Sequence, residues 1–182
     1  MLDAGTFAAR AAHLRLLLFD VDGVLTDGGV IINSDGTESK RFGIRDGIAL
    51  VWAQRAGLRV GLLSARSSPT TPHRAAQLGI TLVHQGVTSK AAAYDEILTD
   101  LKLSDAEVAY MGDDIVDLAV MARVGLSGGP ADAVREVRDR AHWISVSPAG
   151  NGAVREFVEA ILRARGLWDE VVSGYLREGA RV

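Results

Sequence analysis

The sequence predicts an α/β fold, a doubly wound parallel sheet of Rossmann-like type. Short apolar segments alternate with helical patterns and short turns along most of the chain, which is the order of repeated strand–helix units. The first strong segment, 16–19, is entirely apolar, as expected of a central strand that is buried on both faces. The length of 182 residues suits a single domain over 1–182, in which 166–182 forms a C-terminal tail.

The composition is that of an ordinary soluble protein and argues against several functional classes. Hydrophobic residues make up 48% of the chain and charged residues 24%, and a net charge of −3 gives no basic surface for nucleic acid. The absence of cysteine excludes disulfides and thiolate metal sites. No apolar run approaches the roughly 20 residues of a membrane-spanning helix, and the N-terminal segment has no leader-like apolar core. We therefore expect a cytoplasmic protein without a membrane or nucleic-acid partner.

The elements follow in order from the patterning. Two short runs flank Asn33-Ser34-Asp35-Gly36, a turn typical of a β-hairpin over 30–42, which could cover a site, pair with another copy or lie on the surface. Asp46 is well placed as the N-cap of a helix over 48–56. The later pattern predicts strands at 58–63, 80–84, 107–111, 124–126 and 143–146, and helices at 69–78, from 90, at 115–122, before 143 and at 153–164.

Acidic side chains follow two of the predicted strands. Asp20 and Asp22 come directly after the first strand, and their spacing puts both on one side if the chain stays extended. Asp113 follows the strand 107–111, and Asp117 lies four residues further on, so that both can share one helix face. Each acid taken alone also suits a turn or a helix cap. Clustered carboxylates at the carboxyl edge of a parallel sheet repel each other unless a cation, usually divalent, lies between them.

A hydroxyl and a lysine are predicted at the same edge. Ser64 follows the strand 58–63, where a hydroxyl suits a phosphate oxygen, although a serine there is more often a simple cap. Lys90 begins a helix, a position that the helix dipole disfavours for a cation unless the lysine faces anions. Together with the acids, these two residues predict a site for magnesium and a phosphoryl group.

In order and spacing, these residues resemble the motifs of the haloacid dehalogenase superfamily of phosphotransferases. DVDGVLTDG stands at the first motif, Ser64 at the second, Lys90 at the third and GDDIVD at the fourth. The hairpin and the segments FGIRDG, RAAQLGI and GNGAVRE resemble more narrowly the 3-deoxy-D-manno-octulosonate 8-phosphate (KDO 8-phosphate) phosphatase family. The resemblance covers nearly the whole chain and implies a Rossmann-like fold of haloacid dehalogenase type.

The resemblance implies a phosphoric monoester hydrolase that works through an aspartyl-phosphate. Asp20 would be the nucleophile and Asp22 the general acid and base. Ser64 and Lys90 would hold the phosphoryl oxygens. Mg²⁺ would be held by the carboxylates of Asp20 and Asp113 and by the backbone carbonyl of Asp22. Further implied contacts are groups that orient the metal ligands (Asp114, Asp117) and substrate contacts (Gly28, Arg45, Arg66, Asn151).

The resemblance also implies an assembly and a substrate. The intervals 27–64 and 66–90 leave no room for a separate cap domain, so the site would be closed by neighbours in a homotetramer formed through the hairpin, with the tail near an adjacent site. The implied substrate is KDO 8-phosphate, a lipopolysaccharide precursor. Asn151 stands where relatives often carry a basic residue. A phosphatase of a nine-carbon sugar acid 9-phosphate therefore stays an alternative, as does a non-catalytic accessory domain of a sugar-nucleotide synthetase.

Overall fold

The structure is a computed structural model that describes residues 1–179, and a parallel sheet runs through its centre. The sheet has six strands in the order β5-β4-β1-β6-β7-β8, and β2 and β3 form a separate antiparallel hairpin. The strands are β1 (Leu16–Phe19), β2 (Ile31–Ile32), β3 (Glu38–Ser39), β4 (Arg59–Ser64), β5 (Leu82–Gln85), β6 (Val108–Met111), β7 (Leu126–Gly129) and β8 (Trp143–Ile144).

Helices connect these strands and cover both faces of the sheet. Two short 3-10 helices, Asp105–Glu107 and Ile115–Asp117, flank β6. The α-helices are α1 (Ala4–Ala12), α2 (Ile44–Arg55), α3 (Thr70–Gln77), α4 (Lys90–Leu101), α5 (Leu118–Met121), α6 (Arg135–Arg138), α7 (Ala153–Ala164) and α8 (Trp168–Gly179). The predicted parallel α/β architecture is confirmed.

The central strand β1 is buried on both faces, as its apolar sequence predicts. Leu17 and Phe19 pack into the core layer that contains residues of α2 and α7, whereas Leu16 and Leu18 pack into the layer that contains residues of α4 and α5. Consecutive side chains of a strand point to opposite faces, so an all-apolar strand needs a helical layer on each side. This double burial explains why a segment of only four residues stands out in the sequence.

The register brings the ends of β1 and β6 to the same level, and β4, which lies between β1 and β5, runs two residues further, to Ser64. Phe19 at the end of β1 lies opposite Leu62 of β4 and Met111 of β6. The backbone N–H of Asp20 donates to the carbonyl of Met111 at 3.0 Å, which continues the ladder by one residue. The residues that follow β1, β4 and β6 therefore meet at one edge of the sheet.

The start of α2 differs from the prediction. The helix begins at Ile44 rather than at residue 48, and its N-cap is Gly43, whose backbone is extended. Asp46 is not the N-cap; it lies in the first turn of α2 and is fully buried. The prediction was wrong because the acid is held by another helix, α7, a long-range contact that local sequence does not reveal.

The C-terminal helix α8 docks on α2 of the same chain. The rings of Trp52 and Trp168 meet edge-on with 5.4 Å between their centroids, and the indole N–H of Trp52 donates to the hydroxyl of Tyr175 at 3.0 Å. Residues 180–182 of the predicted tail lie outside the described residues. Over residues 1–179, no helix combines the length and the apolar character needed to cross a membrane.

Candidate active site

Asp20 is buried at the end of β1, and the chain turns immediately after it. The N–H groups of Val24 and Leu25 both donate to the carbonyl of Val21, so the chain is not extended here and the condition for placing Asp20 and Asp22 on one side is not met. One carboxylate oxygen of Asp20 accepts from the N–H of Val21 at 2.6 Å, and the other lies 2.8 Å from Nζ of Lys90. The cationic partner of Asp20 is thus Lys90, whereas Asp22 pairs with a different lysine, Lys40.

Lys90 is the first residue of α4, and its ammonium group faces carboxylates. Its side chain is 2% exposed and lies 2.8 Å from Asp20 and 2.5 Å from Asp117. Burial alone would lower the pKa of Lys90, but the two carboxylates together raise it above its usual value. The unfavourable position of a cation at a helix N-terminus is thus offset by the acids that it faces.

Asp117 is fully buried, and both of its oxygens are already engaged. One oxygen accepts from Lys90 and from the hydroxyl of Tyr110 at 2.6 Å. The other accepts from the backbone N–H groups of Asp113, at 2.9 Å, and Asp114, at 3.1 Å. Asp113 and Asp117 lie close together, with carboxylate oxygens within 4.8 Å of each other, but they do not share a helix face, because Asp113 precedes the 3-10 helix. Asp117 instead accepts from the backbone of Asp113 and so shapes the loop after β6.

Asp113 faces Asp20 across the edge of the sheet. Its Oδ1 is buried without a hydrogen-bond partner, and its Oδ2 lies so near Gly23 that a Cβ at that position would be 2.0 Å away. Burial, with the charges of Asp20 and Asp117 as the next causes, raises the pKa of Asp113 to about 8. Burial likewise raises the pKa of Asp20 to about 6, against the opposing effect of Lys90. These carboxylates lack sufficient positive charge around them.

The acidic cluster fits a divalent cation. Asp20, Asp113 and Asp117 each offer an oxygen, and these oxygens lie within 4.8 Å of one another. When all three are ionised, Lys90 balances only one of the three negative charges. Carboxylate oxygens are the ligands that Mg²⁺ prefers. Each oxygen of Asp117 already has two donors, whereas each oxygen of Asp20 has one and Oδ1 of Asp113 has none, so Asp20 and Asp113 are better available to an ion. The donor set and the unpartnered Oδ1 of Asp113 therefore fit the group that the sequence predicts.

Three further predicted residues lie at a strand end or on the loops at this edge of the sheet. Ser64 is the last residue of β4, is 2% exposed, and follows the residues level with Phe19. Gly28 adopts a φ of +77°, and a Cβ at this position would lie 3.6 Å from Gly23. Asp114 is exposed and accepts from the N–H of Ile115 at 2.7 Å, as the N-cap of the 3-10 helix.

Asp22 belongs to a second charged cluster at the mouth of the site. Nζ of Lys40, in the hairpin segment after β3, lies 2.8 Å and 3.0 Å from its two carboxylate oxygens. Arg66 donates to Glu38 of β3 at 3.1 Å and has its Nε 3.8 Å from Asp22. The structure thus brings together Asp22, predicted as the acid and base, and Arg66, predicted as a substrate contact, and adds Lys40 and Glu38, which were not predicted from the sequence.

Arg45 and Asn151 do not belong to the charged cluster around Asp22. They line a groove of about 480 Å³ at the N-terminus of α7, together with Ser147, Gly152, Arg155, Glu156 and Glu159. These two predicted substrate contacts therefore share one groove, and the third, Arg66, lies beside Asp22.

Asp46 and Gly150 fix the chain on either side of the N-terminus of α7, next to this groove. Its carboxylate accepts from the backbone N–H groups of Gly152 at 3.0 Å and Arg155 at 2.9 Å, and so caps the N-terminus of α7. The preceding Gly150 donates to the carbonyl of Val24 at 3.0 Å. A Cβ on Gly150 would lie 2.6 Å from the backbone of Thr26. The loop before α7 is thereby fixed against the turn that carries Asp22.

Sequence comparison gives the class of the protein. Residues 68–157 match the family described as haloacid dehalogenase-like hydrolase. The 3-deoxy-D-manno-octulosonate 8-phosphate phosphatase of Escherichia coli is 40% identical over 162 residues, which cover 89% of this chain and 86% of the relative. The chain belongs to the haloacid dehalogenase-like hydrolases and, within them, to the family of the KDO 8-phosphate phosphatases. It is an enzyme of the phosphoric monoester hydrolase class.

Solved structures agree with this assignment. A KDO 8-phosphate phosphatase from Moraxella catarrhalis, in complex with a magnesium ion, a phosphate ion and KDO, is 34% identical; the match covers 93% of this chain and 97% of that chain, with a TM-score of 0.91. The cobalt-bound phosphatase from Haemophilus influenzae is also 34% identical, with coverage of 87% and 93% and a TM-score of 0.84. Two relatives of the same fold thus hold divalent metal ions.

Proposed function

We propose that this protein is a magnesium-dependent phosphatase that hydrolyses KDO 8-phosphate to the free sugar acid and phosphate. The observation that carries the proposal is the cluster of Asp20, Lys90 and Asp113 at the carboxyl edge of the sheet, where one buried lysine faces several carboxylates. The KDO 8-phosphate phosphatase activity of relatives at about 40% identity supports the choice of substrate. In this proposal the enzyme is cytoplasmic and acts in the supply of lipopolysaccharide precursors.

In the first proposed step, Asp20 attacks the phosphorus atom of the substrate. A bond forms between a carboxylate oxygen of Asp20 and phosphorus, and the bond from phosphorus to the sugar oxygen breaks. Asp22, in its protonated form, gives its proton to the leaving oxygen, so the sugar departs as an alcohol. Lys90 and Ser64 hold the phosphoryl oxygens, whose negative charge would otherwise repel the carboxylate of Asp20.

In the second proposed step, water releases the phosphate. The carboxylate of Asp22 takes a proton from the attacking water as the oxygen–phosphorus bond forms. The bond between phosphorus and Asp20 breaks, phosphate leaves, and Asp20 returns to its carboxylate form. Asp22 is then protonated again and ready for the next sugar, so a single residue serves both steps.

Asp20 and Asp113 would hold Mg²⁺ with the backbone carbonyl of Asp22, and Asp114 and Asp117 would orient this loop. When bound, the ion supplies positive charge that neutralises the carboxylates and the phosphoryl oxygens. Asp117 keeps the loop after β6 in shape through its bonds to the backbone of Asp113 and Asp114. Gly28, Arg45, Arg66 and Asn151 stay the proposed contacts to the sugar acid.

The test measures phosphate release from two sugar acid phosphates, each with and without magnesium. We expect the purified protein to release phosphate from KDO 8-phosphate faster than from a nine-carbon sugar acid 9-phosphate, and to stop when EDTA removes the metal. Asp20→Asn should lower the rate by at least about 10³-fold with folding retained. Asp27→Asn, an exposed acid in the same segment, is the matched control and should keep the wild-type rate. Equal failure on both sugars would reject the substrate class.

The homotetramer belongs to the same proposal. Ile31 and Ile32 of the hairpin are 64% and 67% exposed, which supports a contact with another copy through β2. Light scattering at micromolar concentration should give the mass of four chains. A monomeric mass would reject an assembly through the hairpin and, with it, closure of the site by a neighbouring subunit.

A further inference from the structure

The hairpin delivers a buried lysine to the proposed acid and base. The side chain of Lys40 is 1% exposed, although the hairpin strands around it are short and the nearby turn lies on the surface. A buried ammonium group is costly unless it is paired. Its pairing partner is Asp22, whose two oxygens lie 2.8 Å and 3.0 Å from Nζ.

Lys40 is part of a chain of alternating charges that ties the hairpin to two catalytic loops. Glu38 lies 3.9 Å from Lys40 and accepts from Arg66 at 3.1 Å. Arg66 belongs to the loop after β4, and its Nε lies 3.8 Å from Asp22 in the turn after β1. When Asp22 is ionised, two acids and two cations meet and their charges balance.

The position of Asp22 explains why such a partner matters. Asp22 lies in the turn after β1 rather than in a strand, and its side chain is 17% exposed. A general acid must lie within hydrogen-bond reach of the oxygen that it protonates, and a displacement of about 1 Å can reduce the rate by about 10²-fold. A carboxylate on a turn therefore needs a fixed neighbour to hold its orientation.

We propose that Lys40 is a positioning residue that holds the carboxyl group of Asp22 in the orientation for proton transfer. This inference rests on the proposed function, because it assigns to the hairpin a part in the chemistry of the same site. Lys40 acts through Asp22 and not on the substrate, so its loss should lower kcat while KM stays within about 2-fold. The hairpin then contributes to the reaction as well as to any contact between subunits.

The experiment compares Lys40→Met with Arg41→Met. Arg41 is the next residue of the hairpin and also pairs with an aspartate of the turn region, Asp27, at 3.0 Å, but its side chain is 67% exposed. Both variants remove one hairpin cation and one ion pair. For each variant, the rate at which the leaving group is released in the first turnover (the burst) is measured with a sugar phosphate and with 4-nitrophenyl phosphate. Lys40→Gln, which keeps a donor for Asp22, is measured in parallel and carries the comparison if Lys40→Met does not fold.

The two substrates separate positioning from a merely structural role. The sugar oxygen must be protonated as it leaves, whereas 4-nitrophenolate leaves without a proton, so only the first reaction needs the acid. We expect Lys40→Met to slow the burst from the sugar phosphate about 10- to 100-fold and that from 4-nitrophenyl phosphate less than about 3-fold. Lys40→Gln should fall between Lys40→Met and wild type, and Arg41→Met should match wild type.

A double variant completes the test. If Lys40 acts through Asp22, then Lys40→Met should cause no further loss of activity in an Asp22→Asn background. Equal slowing of both substrates, a further loss in that background, or a Lys40→Met rate equal to that of Arg41→Met would overturn the inference. Wild-type protein that hydrolyses neither substrate would instead reject the proposed function and this inference with it.

Discussion

Neutralising Asp113 should stabilise the metal-free protein while it removes the response to magnesium. Asp113 shares the edge of the sheet with Asp20 and Asp117, and within residues 1–179 Lys90 is the one cation paired with this cluster. Its buried Oδ1 accepts no hydrogen bond. In Asp113→Asn the shape of the side chain is kept, but one negative charge of the crowded cluster is gone. The fold should gain stability from the substitution that destroys the proposed metal site.

The magnitude follows from the perturbed ionisation of this carboxyl group. Burial and the neighbouring acids raise the pKa of Asp113 from 3.8 to about 8. At about 1.4 kcal/mol for each pKa unit, ionising Asp113 in the folded, metal-free protein costs ~6 kcal/mol at most. Solvent reaches part of this side chain, so we expect about 1–3 kcal/mol to be realised. For a chain of this length, that corresponds to a rise in melting temperature of about 3–10 °C.

The pH dependence has a definite sign. Between the unfolded and the folded pKa of Asp113, the folded state binds more protons than the unfolded state, so the free energy of unfolding falls as pH rises. The contribution is fully present below about pH 4 and is lost as pH rises through the folded pKa of about 8. The stabilising effect of Asp113→Asn should therefore be larger at about pH 8 than at about pH 6.

Thermal unfolding in EDTA, and then with added magnesium, measures both effects. Wild type should gain stability from magnesium at about pH 8, because an ion that binds only the folded state shifts the unfolding equilibrium. Asp139→Asn is the matched control, since that acid is 59% exposed and lies in a surface pair with Arg135. The reasoning is refuted if Asp113→Asn melts below wild type in EDTA at this pH, or if it keeps the wild-type response to magnesium.

Three further predictions concern residues that support the site. Asp46→Ala leaves the N–H of Gly152 without its partner and should lower the free energy of unfolding by about 2–4 kcal/mol in urea titrations; an unchanged midpoint would contradict the capping role. Gly23→Ala should abolish the magnesium-dependent rise in melting temperature, because its Cβ would meet Asp113 at 2.0 Å and its φ is +83°. Tyr110→Phe removes a buried donor to Asp117 and should cost about 1–3 kcal/mol, with a fall in the phosphate-release rate; a variant as stable and active as wild type would exclude this role.

The sequence was informative about the sheet because its signals there are local. A strand such as β1, buried on both faces, is apolar throughout, and the acids that follow it mark the edge where ligands bind. Lys90 was identifiable because a cation at a helix start needs a nearby anion, and the structure supplies Asp20 and Asp117. Short-range rules were sufficient to select these strands and the residues Asp20 and Lys90.

The residues that the sequence analysis missed are those whose partners lie far along the chain. The residues around Lys40 are typical of a surface hairpin. Only the fold shows that the side chain of Lys40 is buried against Asp22. Tyr110 lies in a strand where an aromatic residue is unremarkable, and its hydroxyl is significant only because Asp117 is next to it. Asp46 suits a local cap equally well, yet it serves α7. No periodicity or turn rule specifies such pairings.

The placement of the cluster at the middle of the sheet has a consequence for how the protein matures. Asp20, Lys90 and Asp113 come from widely separated parts of the chain and meet only after β1 has found both β4 and β6. Such distant pairings form slowly, because the chain loses the entropy of closing long loops before the resulting contacts can stabilise it. Affinity for the ion should therefore be absent from a nascent chain that has not yet supplied β6, and its appearance during synthesis would mark the moment at which the centre of the molecule is complete.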